Sequence, residues 1–297
     1  MSEGRLNLLG LAVSKGKVKS QMVEPPVTSD DDPRELPPGF DISVAHPARV
    51  YDYWLGGKDH FEPDRIVAEE VIAVRPTIIR DIRANRAFLG RAVRFLAGEA
   101  GIRQFLDIGT GIPSADNTHE VAQSVAPDSR IVYVDNDPIV LAHARALLTS
   151  TPEGACAYLD ADLKDTGKIL REAARTLDFS RPVAVLFIGV LHLVSDEEEP
   201  RRIMTEMLGP AVPGSYLAIT QPARDINPDQ VAEGARRYNE QVKVPQTRRT
   251  YAETLRFFDG MEVVPPGLVQ CHRWRPDPGA IGLEENVSAY GGVARIE

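Results

Sequence analysis

Between residues 100 and 220 the chain alternates short apolar runs with amphipathic stretches. Ile102–Ile108, Arg130–Val134, Ala155–Leu159, Pro182–Ile188 and Ser215–Thr220 are short enough, and apolar enough, to predict buried strands. Helical spacing lies between them, at Asn117–Val125, Ile139–Leu148, Lys168–Leu177 and Ser195–Leu208. Asn117 with Glu120, and Ser195 with Glu198, have the spacing of capping boxes. Asp137-Pro138 supplies an N-cap followed by proline at the first helical position. Strands separated by helices predict a parallel sheet covered on both faces. Upstream, Pro76–Gly98 repeats Ile78, Ile79, Ile82, Leu89, Val93 and Leu96 at helical spacing, with arginines between them. After residue 220 the style changes. Two helical stretches near 228–240 and 250–259 precede Met261–Val264, Leu268–Trp274 and Gly292–Ile296, strands without long helices between them. That predicts an antiparallel edge.

The first 40 residues do not fit this pattern. Arg5, Lys15, Lys17 and Lys19 stand against Glu3, and an acidic, proline-rich stretch follows from Pro25 to Pro38. Such a segment buries too little apolar surface to offset chain entropy, so residues 1–40 read as a disordered tail. Residues 41–297 read as one domain whose first part, 41–100, is a helical extension. The lysines follow the apolar patch Leu6–Val13 instead of preceding it, which is the wrong order for a signal peptide. No apolar run approaches a membrane-spanning length.

Over 297 residues, 34 Lys and Arg against 43 Asp and Glu give a net charge of −9, which disfavours a nucleic-acid partner held by a basic surface. Cys156 and Cys271 form no CxxC pair and fit a reducing, cytoplasmic setting. His46, His119, His143 and His272 have no metal-ligand spacing, so no metal is expected.

In an open α/β sheet, ligands bind at the carboxyl ends of strands. The first strand ends Asp107-Ile108-Gly109-Thr110-Gly111, the second ends at Asp135-Asn136, and the third is followed by Asp162-Leu163. Glycines permit a tight turn against a ligand. Asp135 can accept hydrogen bonds from ribose hydroxyls, and Asp162 from an adenine amino group, with Leu163 on the ring. Three acidic positions at successive strand ends, the first beside G-x-G, point to a nucleoside-containing cofactor. Gly56-Gly57-Lys58-Asp59 is not a P-loop, because Asp52 and Asp59 occupy positions that need Gly and Ser or Thr. Ser114 breaks the dinucleotide fingerprint, and no Tyr-x-x-x-Lys pair exists. S-adenosyl-L-methionine, which carries no phosphate, fits best. A cofactor sensor without turnover and a nicotinamide-dependent oxidoreductase remain the alternatives.

These residues resemble a class I S-adenosylmethionine-dependent methyltransferase. More narrowly, the chain resembles the actinobacterial S-adenosyl methyltransferase family once known as a domain of unknown function. The resemblance rests on Ala48–Asp59, Asn85–Leu89, Phe105–Pro113, His119–Ala122, Val132–Pro138, His143–Ala146, Val190–His192 and Tyr290–Val293, and spans roughly residues 40–297. His60 departs from it, where the family carries Asn. The resemblance implies a Rossmann-like α/β fold: a seven-stranded, mostly parallel sheet with an antiparallel last strand and helices on both faces. It also implies a methyltransferase that converts S-adenosylmethionine to S-adenosyl-L-homocysteine.

In-line methyl transfer depends on alignment and desolvation, and needs a base only when the acceptor must lose a proton. His192, after the fourth strand, and Asp59 and His60 are the base candidates. Gly56, Gly57, Lys58, Asn85, Arg86 and Val190 join the strand-end residues as cofactor candidates, with Lys58, Asn85 or Arg86 placed to meet the cofactor's carboxylate. The Tyr51–Asp64 stretch, rich in glycine and aromatics, is the expected wall against the acceptor, taken to be a small molecule with an oxygen or nitrogen nucleophile.

Overall fold

The computed structural model describes residues 41–114, 116–147, 149–195 and 199–297. The predicted tail, Leu148 at the end of one predicted helix, and Glu198 of the second predicted capping box lie outside the described residues. Five strands run parallel: β1 (Gln104–Ile108), β2 (Arg130–Asp135), β3 (Ala155–Asp160), β4 (Ala184–Ile188) and β5 (Tyr216–Pro222). The last strand, β8 (Ala289–Arg295), lies antiparallel to β5, with Tyr216 opposite Arg295 and Pro222 opposite Ala289. Two short strands, β6 (Glu262–Val263) and β7 (Val269–Gln270), also pair with β8. The order is β3-β2-β1-β4-β5-β8-β6, so the sheet path has the seven expected positions, and β7 is a two-residue addition beside β8. The sheet reverses its direction of growth between β1 and β4, where a parallel sheet opens a crevice at its carboxyl edge.

Successive strand residues point to opposite faces, and two cores follow from that. Leu106, Val132, Val185, Phe187 and Ile219 pack on one face against α6 (Thr166–Ala173) and α7 (Glu199–Leu208), through residues such as Ile169, Ile203 and Met207. Phe105, Ile131, Tyr133, Leu186 and Val293 pack on the other face against α3 (Ile78–Gly98) and α4 (Thr118–Val125). Asn117 starts α4 as predicted, its N–H donating to Glu120 Oε2 at 2.8 Å. Asp137 Oδ1 accepts the Ile139 N–H at 2.8 Å and starts α5 (Pro138–Leu147).

A third cluster joins α1 (Pro47–Leu55), α2 (Glu62–Val74), the start of α3, and α8 (Pro228–Asn239) through Val50, Trp54, Val67, Val71, Ile78 and Tyr238. The predicted extension therefore divides: α1, α2 and the start of α3 pack with α8 in a helical layer, while the rest of α3 packs on the sheet. The last helix, α9 (Tyr251–Leu255), opens on a capping box of Thr250 and Glu253.

The predicted strand Leu268–Trp274 is corrected. Only Val269–Gln270 pairs, and Cys271–Arg273 turns into a 3-10 helix. Buried Arg91 on α3 donates to the carbonyls of Trp274 and Cys271, at 2.8 and 2.7 Å, which pulls them away from a sheet ladder. Residues 39–297 form one compact unit. Among the described residues no helix is long and apolar enough to cross a membrane.

Candidate functional site

At the carboxyl ends of β1–β4 lies a cavity of about 410 Å³, the right size for a small-molecule site. One half of its wall is the turn after β1. Gly109 has φ +70°, and its N–H donates to the Val134 carbonyl at 2.8 Å. A Cβ on Gly109 would stand 2.2 Å from a Val190 methyl, so only glycine lets the turns after β1 and β4 meet. Gly111, at φ +65°, has open space where a side chain would stand, and its N–H donates to Asp135 Oδ2 at 2.9 Å. The other Asp135 oxygen accepts the Asp137 N–H at 3.0 Å. The carboxylate is thus fixed at the cavity by backbone donors, although burial still raises its pKa.

Asp107 is 5% exposed, and Thr118 Oγ1 donates to its Oδ2 at 2.6 Å. Burial pushes its pKa up to about 6, despite the Thr118 bond and the nearby Arg86 charge. This carboxylate is held out of water, and among the described residues no ion pair with it is seen that would offset its desolvation. Thr110, Asn136, Asp162, Leu163, Asn85, Arg86, Val190 and His192 also line the cavity. Asp162 is exposed and closes its own turn by accepting the Lys164 N–H at 2.9 Å. Asn85 Nδ2 donates to the Tyr51 hydroxyl at 2.8 Å, and Arg86 Nη2 donates to Asn117 Oδ1 at 3.0 Å.

Gly56, Gly57, Lys58, Asp59 and His60 are not on the cavity wall. They close α1. Gly56 takes the left-handed cap conformation, at φ +84°. Asp52 accepts the Asp59 N–H at 2.9 Å, and a Cβ on Gly57 would collide with the Asp52 carboxylate. His60 Nε2 meets the Gly57 carbonyl at 3.1 Å, and Asp59 stands 3.5 Å from His143. From the Tyr51–Asp64 stretch, Tyr51, Trp54 and Leu55 reach the cavity.

His192 occupies the 3-10 turn Leu191–Leu193 after β4. Burial, with Arg248 and Arg249 nearby, pushes its pKa down to about 3. It is neutral at physiological pH, and among the described residues its buried Nδ1 has no hydrogen-bond partner.

The other half of the wall was not legible as a motif. Arg75 ends α2, Asp81 begins α3, and Lys243, Gln246 and Arg248 follow α8. These segments are distant in sequence, and no spacing rule joins them. The only local hint was Arg75-Pro76, a charged residue at a helix end. Among the described residues no group of three or more His, Cys, Asp or Glu side chains could hold a metal ion.

A family model described as S-adenosyl methyltransferase matches residues 33–297. The crystal structure of a DUF574 family protein from Streptomyces avermitilis is 48% identical with a TM-score of 0.84, covering 86% of this chain and 99% of that one. A methyltransferase candidate from Thermobifida fusca is 42% identical with a TM-score of 0.80, covering 88% of this chain and 98% of that one. A search of curated proteins gave no match. With a family match over most of its length and two actinobacterial structures above 40% identity, the chain belongs to the S-adenosyl methyltransferase family.

Proposed function

We propose that the protein transfers a methyl group from S-adenosyl-L-methionine to an oxygen or nitrogen of a small molecule. The observation that carries this reading is the buried Asp107 carboxylate beside the Gly109–Gly111 turn, in one cavity with Asp135. When bound, S-adenosylmethionine supplies a methyl group on a sulfonium sulfur and leaves as a neutral thioether. The residues present fit it. Asp107 would hold its ammonium group and Asp135 its ribose hydroxyls. Asp162 and Leu163 would hold its adenine, and Arg86 with Asn85 would stand toward its carboxylate.

Val190 and His192 stand next along the wall, after β4, and we assign them to the junction with the acceptor. A neutral His192 with a pKa of about 3 is a poor proton acceptor for a hydroxyl or ammonium. Its unpartnered Nδ1 serves instead as a hydrogen-bonding group that orients the acceptor. Asp59 and His60 receive no chemical role, because they stand off the wall. Arg75 and Arg248 line the same cavity, Arg248 near His192, and we assign them to the acceptor, which favours an enzyme over a sensor.

Calorimetric titration with S-adenosylhomocysteine tests the donor site. Asp135→Ala removes charge-assisted hydrogen bonds of roughly 1.5–3 kcal/mol, about ten- to a hundredfold in affinity. Unchanged affinity, with secondary structure intact by circular dichroism, would remove the assignment.

A further inference from the structure

The two halves of the cavity carry opposite charge. Asp107, Asp135 and Asp162 stand at or just after the ends of β1–β3, whereas Arg75, Arg248 and Lys243 reach the wall from the end of α2 and the segment after α8. Arg75 is 1% exposed and donates through Nη2 to Asp81 Oδ2 at 2.5 Å, yet its Nε and Nη1 have no partner. Asp81 is already shared, because its other oxygen accepts the Ser288 N–H at 3.2 Å. Among the described residues Arg248 reaches only the neutral Gln246 side chain, at 3.2 Å, and its buried Nε is without a partner. Asp64, another buried carboxylate of this helical layer, is committed elsewhere. It pairs with Arg49 at 3.3 Å and accepts the His46 and Phe61 N–H groups at 2.9 and 2.8 Å. The direct carboxylate contact here is that of Asp81 with Arg75, Arg248 has none, and three buried donor nitrogens of the two guanidinium groups have no partner among the described residues.

The segment carrying Arg248 is fastened. The Thr247 N–H donates to the His192 carbonyl at 2.6 Å, and Gln221 donates to the Thr247 carbonyl at 3.1 Å. Asn239 pairs with the backbone of Gln246 in both directions, at 2.8 and 3.1 Å. Arg249 donates to the Leu191 carbonyl at 3.2 Å. The Arg248 charge is thereby held against His192, beyond the donor end and close enough to depress the imidazole's basicity. Arg86 is the arginine whose charge reaches Asp107, so the donor's own carboxylate already has a cation on its side. The wall also carries the apolar side chains of Trp54, Leu55, Ile78 and Ile82.

We propose that the methyl acceptor is a small molecule with an apolar body and an oxyanion group, carboxylate or phosphate, anchored by Arg248 and Arg75. This rests on the donor reading above and names the substrate class for the same cavity. An oxyanion matches the planar donor edges of guanidinium groups and would satisfy the open nitrogens. A neutral acceptor would leave the open nitrogens of buried Arg75 and part-exposed Arg248 unsatisfied, which burial disfavours.

The test uses the full chain and three probes of one shape, benzoate, phenyl phosphate and benzamide, titrated with S-adenosylhomocysteine present at saturation. Benzoate or phenyl phosphate should bind saturably below about 10 mM, at least tenfold more tightly than benzamide, and the stronger of the two identifies the anion. Arg248→Gln should weaken that probe about ten- to a hundredfold, with Arg248→Lys between. In the same Arg248→Gln protein, S-adenosylhomocysteine alone should keep its affinity within about twofold. Three results overturn the proposal: no saturable anion binding, an advantage that survives Arg248→Gln, or a matching loss of S-adenosylhomocysteine affinity. The last would mean that these arginines hold the donor's carboxylate. If the anion binds and S-adenosylhomocysteine does not bind the unaltered protein, the donor reading fails, and with it the claim that the anion is a methyl acceptor, while the arginine anion site itself remains. Arg75 is left unchanged throughout, because its removal would strand the buried Asp81 carboxylate.

Discussion

Asp107 shows how function and stability oppose each other at one residue. Its pKa of about 6 in the folded protein lies above the carboxylate's ordinary value of 3.8. Between those values the folded chain keeps a proton that the unfolded chain has lost. Stability therefore falls as pH rises through this window, and above pH 6 the ionised form costs about 3 kcal/mol. Asp107→Asn removes that charge and keeps an oxygen for the Thr118 hydroxyl. By urea unfolding at pH 8 the ligand-free variant should be more stable than the parent by up to about 3 kcal/mol, and the gap should close toward pH 4. Its S-adenosylhomocysteine affinity should fall at least tenfold. In the parent, that affinity should drop about tenfold per pH unit below pH 6, because the ammonium group needs the ionised carboxylate. A variant less stable than the parent at pH 8 would show that Asp107 acts as a structural hydrogen-bond hub. Asp107 was legible in the sequence because it precedes G-x-G at a strand end. Its burial and its Thr118 partner were not, because they depend on how α4 folds back over β1.

At the scale of elements, the strands and the longer helices could be read to within a few residues, because each carries its own apolar period and start signal. Two readings failed to anticipate what other residues do. Arg91 takes the carbonyls that would have continued the Leu268–Trp274 strand. The Gly56–His60 stretch reads locally as a glycine loop made for a ligand, yet Asp52 uses it to end a helix. Gly109 is the reverse case, since its glycine is required by another element. A Cβ there would stand 2.2 and 2.6 Å from Val190 side-chain atoms, at a φ that L residues rarely adopt. Gly109→Ala should cost about 2–4 kcal/mol from overpacking plus backbone strain. Adding Val190→Gly removes the collision and leaves the strain. The double variant should recover about 1 kcal/mol or more relative to the sum of the singles, measured as a double-mutant cycle by urea unfolding. Strict additivity would mean that the backbone conformation, not Val190, demands the glycine.

At the scale of the molecule, the donor half of the cavity was readable because its residues lie at the ends of consecutive strands, where sequence order and spatial order coincide. The cationic half was not, because Arg75, Asp81 and Arg248 meet only when α2, α3 and the segment after α8 converge. That convergence sets the extent of the functional unit. The cavity wall runs from His46 to Ala289 in sequence, and the buried cores use residues from Ala45 to Ala294. The family match begins at residue 33. Residues 1–38 are rich in proline and charge, a composition that contributes little apolar burial. We therefore propose that a chain starting at Gly39 retains the working protein. Its melting temperature should stay within about 2 °C of the full chain, because losing as little as 1 kcal/mol from a domain this size shifts it by roughly that much or more. Its S-adenosylhomocysteine affinity should stay within about twofold, since every group that would hold the donor lies beyond residue 80. A fall of many degrees would show that the first residues pack on the domain. A selective loss of donor affinity at unchanged melting temperature would place part of them over the cavity mouth, and the boundary would have to move toward the amino terminus.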